Sequence, residues 1–183
     1  WKTLTELVQS NVPDDELFQA LEAAMPHDED LEYTRTLMAR IPNEQTKHDM
    51  LRQLSRNGRT LFAVAASGKR KMVIEFMLNE VIKNDGVDNV FFMTTPDHKS
   101  RTALTFMVSS GVSDLFERAI NTLEPTRRFQ ELTRKEDYDP HRKNFPTLLN
   151  RTNNRDFQKK MAEMVVDGLK AMKGVVDDIF VWN

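Results

Sequence analysis

An all-α fold, built as a helical repeat stack of helix-turn-helix units, is what this sequence predicts. Two observations carry that expectation. Apolar residues recur at helical spacing along nearly all of the 183 residues. On top of that pattern a unit returns after 42 to 45 residues, the mark of a tandem helical array.

The elements follow in order. From Asp15 to Met25, Leu17, Phe18, Leu21, Ala24 and Met25 share one helical face, with Pro13 near the start and Pro26 as the stop. A second helix carries Leu31, Thr34, Leu37, Met38 and Ile41, with acids at its beginning and Pro42 at its end. Asn43 can cap a third, whose buried stripe would be Met50, Leu51 and Leu54, before the turn at Asn57-Gly58. Thr60 then opens a short helix to Ala66, followed by a basic connection and a longer helix through Met72 to Leu78. Thr102 opens the same sequence of elements, with Asp114 to Ile120 as the longer helix. A weaker copy begins at Thr147 and feeds a final helix, where Met161, Met164, Val165, Leu169, Met172, Val176, Ile179 and Phe180 keep helical spacing. Gly168 lies on that apolar side, where a neighbouring helix could approach closely. Two segments resist the pattern. Residues 87–95 read equally as strand, helical turn or extended finger, and 124–145 as a short helix around Phe129 and Leu132 followed by an exposed loop. The chain thus divides into an N-terminal helical segment (1–56), two repeat units (57–123) and a loop with a C-terminal capping unit (124–183), where Phe180 to Trp182 would close the stack or expose an aromatic anchor.

These units resemble ankyrin repeats. Gly58, Thr60, Ala65 and Ala66 match the family's turn, cap and small-residue positions, and Val73, Ile74, Met77 and Leu78 its aliphatic pairs. In the second unit Thr102, Leu104, Gly111, Leu115, Phe116 and Ile120 match. The family's Pro is replaced by Leu61 and Ala103, its His by Ala63 and Thr105, and the spacing exceeds the usual ~33 residues, so insertions must separate the units. Another helical solenoid or an irregular bundle is the alternative. The resemblance implies a scaffold that binds a partner protein through turn tips and the concave face of the short helices. Mapped onto this chain, the tip residues are Asn57 and Arg59, then Asp97, His98, Lys99 and Arg101, then Arg142 and Lys143. The competing reading of each is a polar residue that solvates a turn. Changing Arg59 and Arg101 together to Glu is expected to abolish partner capture without unfolding the chain.

Composition narrows the function. Lys plus Arg number 26 and Asp plus Glu 28, so the net charge of -2 excludes a globally basic nucleic-acid binder. Charge is nevertheless segregated: residues 3–34 hold nine acids and no Lys or Arg, residues 35–71 nine bases and two acids, and residues 127–160 ten bases and five acids. Either these patches meet different outside surfaces, or neighbouring units neutralise each other; the second reading is preferred. No motif organises the basic segment for nucleic acid. The four His are far apart, no Gly loop cradles phosphate, and without Cys there is no thiolate site, so neither an enzyme nor a cofactor or metal is expected. The ten Met read as core filling, with a Met-lined groove as the alternative. No span of ~20 apolar residues is present, so membrane insertion is not expected. The chain begins at Trp1, which reads as a fragment. The expectation is a cytoplasmic protein-protein interaction module without enzymatic activity. Its alternatives are the targeting segment of a host-directed effector or enzyme, acting in the host cytoplasm, and a self-assembly module forming homo-oligomers.

Overall fold

Side-chain caps mark where several of the helices begin. The Asn43 side chain accepts the Thr46 N–H (2.8 Å), Thr60 Oγ1 the Ala63 N–H (3.1 Å) and Thr102 Oγ1 the Thr105 N–H (3.3 Å). Thr105 returns the favour by accepting the Thr102 N–H, which closes a capping box. Thr147 and Asn150 form another. The computed structural model describes residues 12–83 and 88–180, and every regular element among them is helical. The α-helices are α1 (Leu17–Ala24), α2 (Glu32–Ala39), α3 (Glu44–Arg52), α4 (Leu61–Ser67), α5 (Lys71–Ile82), α6 (Asn89–Thr94), α7 (Ala103–Ser109), α8 (Ser113–Ile120), α9 (Pro125–Thr133) and α10 (Arg155–Phe180). Single 3-10 turns occupy Asp14–Glu16, Met25–His27 and Leu148–Asn150.

The packing is ordered by row. Helix α1 lies against α4, α4 against α7, and α7 against the Leu148–Asn150 turn. Behind that row, α2 packs on α1, α5 on α4 and α8 on α7, and α5 touches α8 directly. The 42-residue spacing is filled by a third short helix in each unit. These helices, α3, α6 and α9, each pack on the next first-row element: α4, α7 and the Leu148–Asn150 turn. Helix α4 is buried from Leu61 to Ala66 without interruption. A helix apolar all round has to be enclosed by neighbours, and here α1, α3, α5 and α7 supply them. One continuous core runs from Val12 to Met164, and the Phe116 and Phe157 rings, 5.4 Å apart, tie α8 to α10.

Several expectations are refined. Residues 89–94 are helical, because Thr94 and Thr95 hydroxyls bond back to the Val90 and Phe91 carbonyls, while Asp88 is held by His48 (2.9 Å) and Arg52. Val87 lies outside the described residues, as does the proposed cap at Val181 and Trp182. Leu54 is exposed rather than buried, since α3 ends at Arg52 and the chain has turned away from the stripe of Met50 and Leu51. Among the methionines, Met38, Met50, Met77, Met107, Met161 and Met164 fill the core, but Met72 points to solvent. Part of the segregated charge is paired within the chain: Arg40 with Asp14 inside the N-terminal segment, and Lys47 with Glu80, Lys71 with Asp114 and Lys160 with Glu117 between successive units. Among the described residues no helix is long and apolar enough to cross a membrane.

Gly168 is where α9 and α10 come closest. A Cβ there would sit 2.6 Å from Phe129 Cβ and 2.9 Å from the Pro125 carbonyl oxygen, whereas one on Gly174 would meet nothing within 4 Å. Gly168→Ala is therefore expected to destabilise the chain by ~1–3 kcal/mol through forced separation of the two helices. Gly174→Ala is expected to stabilise it by up to ~1 kcal/mol through helix propensity. Urea unfolding of both variants checks the contrast.

Candidate interaction tips and first-row pocket

The first two tips share one backbone pattern, and the third repeats it with one residue more. Ser55, Asp97 and Asp139 stand 42 residues apart, and each carbonyl accepts an N–H from the residue that closes its turn: Gly58 (2.9 Å), Ser100 (3.1 Å) and Lys143 (2.7 Å). Those closing residues all have left-handed backbones, at φ 82°, 63° and 55°. The side chain that heads each turn also caps it. Ser55 Oγ accepts the Arg59 N–H, Asp97 Oδ1 the N–H groups of Lys99 and Arg101 (both 2.9 Å), and Asp139 Oδ1 those of His141 and Arg142. Neighbouring tips are joined directly. The His98 N–H donates to the Asn57 carbonyl (3.0 Å), the Ser100 hydroxyl to Asp137 (2.8 Å), and Arg134 to the Ser100 carbonyl (2.8 Å). Gly58 is required at the first tip because His98 Cδ2 would lie 2.8 Å from an added Cβ.

Asp97 is the centre of this joint. Its side chain is 2% exposed, and Arg59 Nε (3.1 Å) and Arg101 Nε (3.3 Å) both donate to Oδ2. The two guanidinium groups also lie over the Phe106 ring, 4.6 and 5.1 Å from its centroid. Burial pushes the Asp97 carboxyl up, but the N–H groups of Arg101 and Lys99 and the Arg59 and Arg101 cations outweigh it, leaving its pKa below the ordinary aspartate value. Glu136, equally buried, repeats the arrangement one unit on. It accepts the Thr105 hydroxyl (3.0 Å) and two N–H groups of Arg151, the Nε bond being 2.6 Å.

Six of the eight sequence-predicted tip residues thus meet. Asn57, Arg59, Asp97, His98, Lys99 and Arg101 line one small cleft of about 140 Å³. Their roles divide. Asn57, His98 and Lys99 are exposed, Arg59 and Arg101 are half-buried and tied to Asp97, and Asp97 is turned inward. Arg142 and Lys143 sit exposed on the third tip, where Arg142 pairs with Asp139 (3.6 Å). A groove of about 520 Å³ runs from Lys99 and Arg101 past Asp137, Tyr138 and His141 to Arg151, joining second and third tips. A further pocket of about 330 Å³ opens on the first-row face between the ends of α4 and α7. The sequence did not single out Ser55 or Glu136, and it showed Tyr138 and Arg151 only as part of a basic stretch rather than at the tips. The 42-residue interval from Ser55 to Asp97 to Asp139 was the available signal for the turn heads; nothing in the sequence pairs Glu136 with Arg151. Among the described residues no group of three or more His, Asp or Glu is placed to hold a metal ion. No family model matches this chain, and neither a curated protein nor a solved structure shows significant similarity to it.

The expectation that Arg59 and Arg101 could both become Glu without unfolding is revised, because two new carboxylates would face buried Asp97. A direct check is Asp97→Asn, which sets an amide N–H against the guanidinium donors and is expected to cost ~3 kcal/mol at neutral pH. The sign with pH follows from the lowered native pKa. Asp97 stabilises the fold above its unfolded pKa of about 3.9, and that contribution is lost as pH falls through the lower native value. Denaturation of parent and variant from pH 7 to 2 should show the gap persisting to about pH 4 and closing only below it.

Proposed function

We propose that the chain is a protein-recognition module that holds a partner protein across its tips and first-row face. The observation that carries this reading is the exposed aromatic pair on the third tip. Tyr138 and Phe145, 52% and 55% exposed, pack edge to face with centroids 5.4 Å apart, and Tyr138 lines the groove shared with Lys99 and His141. Large aromatics beside positive groups are the composition of interface hot spots, and they are unusual on a surface that serves only solvation. The rigid hydrogen-bonded joints between tips support it, since presented groups then lose little freedom on binding.

The repeated caps at Thr60, Thr102 and Thr147 and the packing of first-row helices favour an ankyrin-like ancestry with a third helix added to each unit.

One observation favours a second reading, self-association. Beyond its contact with α9, helix α10 exposes Val166, Leu169, Val175 and Val176, each about half exposed. Unpartnered apolar surface of that kind fits a mate as well as a continuing chain.

The test compares affinity capture by the intact chain with capture by Tyr138→Ala combined with Lys99→Glu. Both residues are exposed, so the melting temperature should stay within about 2 °C, while a captured partner should be depleted tenfold or more. Undiminished capture refutes the tip surface. Light scattering decides the second reading: a dimer that Val176→Glu returns to monomer supports it.

A further inference from the structure

We propose that the first-row pocket between the ends of α4 and α7 binds a phosphate monoester carried on a side chain of the partner, an inference that rests on the protein-recognition reading above. Four cations, Arg59, Lys69, Arg101 and Arg151, line the pocket of about 330 Å³. Two carboxylates, Asp97 and Glu136, lie buried behind them, so the assembly keeps two positive charges uncompensated. A carboxylate ligand brings one negative charge, whereas a phosphate monoester brings close to two near neutral pH.

The hydrogen-bonding groups agree. Asp97 and Glu136 hold the arginines through Nε of all three and Nη2 of Arg101 and Arg151. The remaining Nη groups, both on Arg59 and Nη1 on the other two, have no partner among the described residues. Three of the four lining hydroxyls donate away from the pocket, Ser67 to the Val64 carbonyl, Ser110 to that of Ala66 and Thr105 to Glu136, while Ser109 is exposed. What faces the opening is therefore rich in N–H donors and contains no unpaired carboxylate, which suits an oxyanion and repels a cation. Removing the buried carboxylates' share of the donors also fixes each guanidinium plane before a ligand arrives.

Lys69 adds an independent observation. It adopts a left-handed backbone (φ 62°) at the turn between α4 and α5. The matching turn between α7 and α8, 42 residues later, places Gly111 in the same conformation (φ 73°). A non-glycine residue is strained there, and the exposed lysine is what that strain retains at the pocket rim.

The test titrates the intact chain at neutral pH with phenyl phosphate and with phenyl sulfate, a monoanion of similar shape, followed by calorimetry and by amide shifts in NMR spectra. Phenyl phosphate should bind at least tenfold more tightly and shift residues around Lys69, Ser109 and Arg151. Equal affinities, or no binding, overturn the proposal. In Lys69→Gly the affinity should fall tenfold or more while the melting temperature holds or rises, because glycine relieves the backbone; unchanged affinity overturns the proposal. A short uncharged peptide carrying one phosphoserine should bind and its unphosphorylated form should not. Refusal of that peptide beside binding of phenyl phosphate overturns the protein-borne source. These titrations need no partner. No phosphate binding beside Tyr138-dependent capture sinks the pocket alone, and phosphopeptide binding beside capture indifferent to Tyr138 sinks the tip surface alone.

Discussion

A carboxylate that cannot reach water organises this molecule. Asp97 is desolvated, and an isolated buried charge would cost several kcal/mol, so its position is tolerable only because two backbone N–H groups and two arginines surround it. That requirement has consequences on both sides. It closes the second tip upon itself, draws Arg59 across from the first tip, and lays both guanidinium groups over Phe106 on α7. Together with the His98 N–H bond to the Asn57 carbonyl and the Ser110 hydroxyl bond to the Ala66 carbonyl, this joint gives two apolar-packed units a fixed register. Glu136 applies the same constraint to the next joint, through the Thr105 hydroxyl of α7 and the Arg151 side chain ahead of α10. Hydrophobic burial supplies the cohesion of the stack, and these two acids supply its geometry.

How far the sequence announced this depends on the distance over which each interaction acts. Caps are local, so Asn43, Thr60, Thr102 and Thr147 could be read from their neighbours alone. The close approach at Gly168 followed from its place on the apolar side of a helix. Helix α6 was illegible because its six residues are β-favouring by composition. Asp88, which precedes it, is held by His48 and Arg52 from 40 and 36 residues earlier. The pairing of Glu136 with Arg151 spans a loop without periodicity, and no pattern encodes such a contact. Tip residues were legible as polar and turn-forming, but not as inward or outward. Burial of Asp97 beside exposure of His98 and Lys99 is decided by which carboxylate the turn needs for itself.

Charge segregation along the chain has a structural use that its near-zero total conceals. Units cross-link through pairs such as Arg70 with Glu29, Lys71 with Asp114 and Lys160 with Glu117. Most are exposed, and each is worth little in stability. Their value is in matching: an acidic N-terminal stretch beside a basic successor favours the native neighbour over a slipped one, where like charges would meet.

The left-handed turn positions separate constraint from use. All three tips need such a residue, and so do both hairpin turns after α4 and α7. Glycine is the least strained choice, yet it appears only at Gly58, where His98 leaves no room for a Cβ, and at Gly111, where space is open. The others are polar: Ser100, Lys143 and Lys69. At Ser100 the reason is visible, since its hydroxyl reaches Asp137 and links two tips. Lys143 and Lys69 make no comparable bond within the described residues, so no internal contact offsets a backbone cost of about 1 kcal/mol each. Both lysines stand on the surfaces where the tips and the pocket open to solvent.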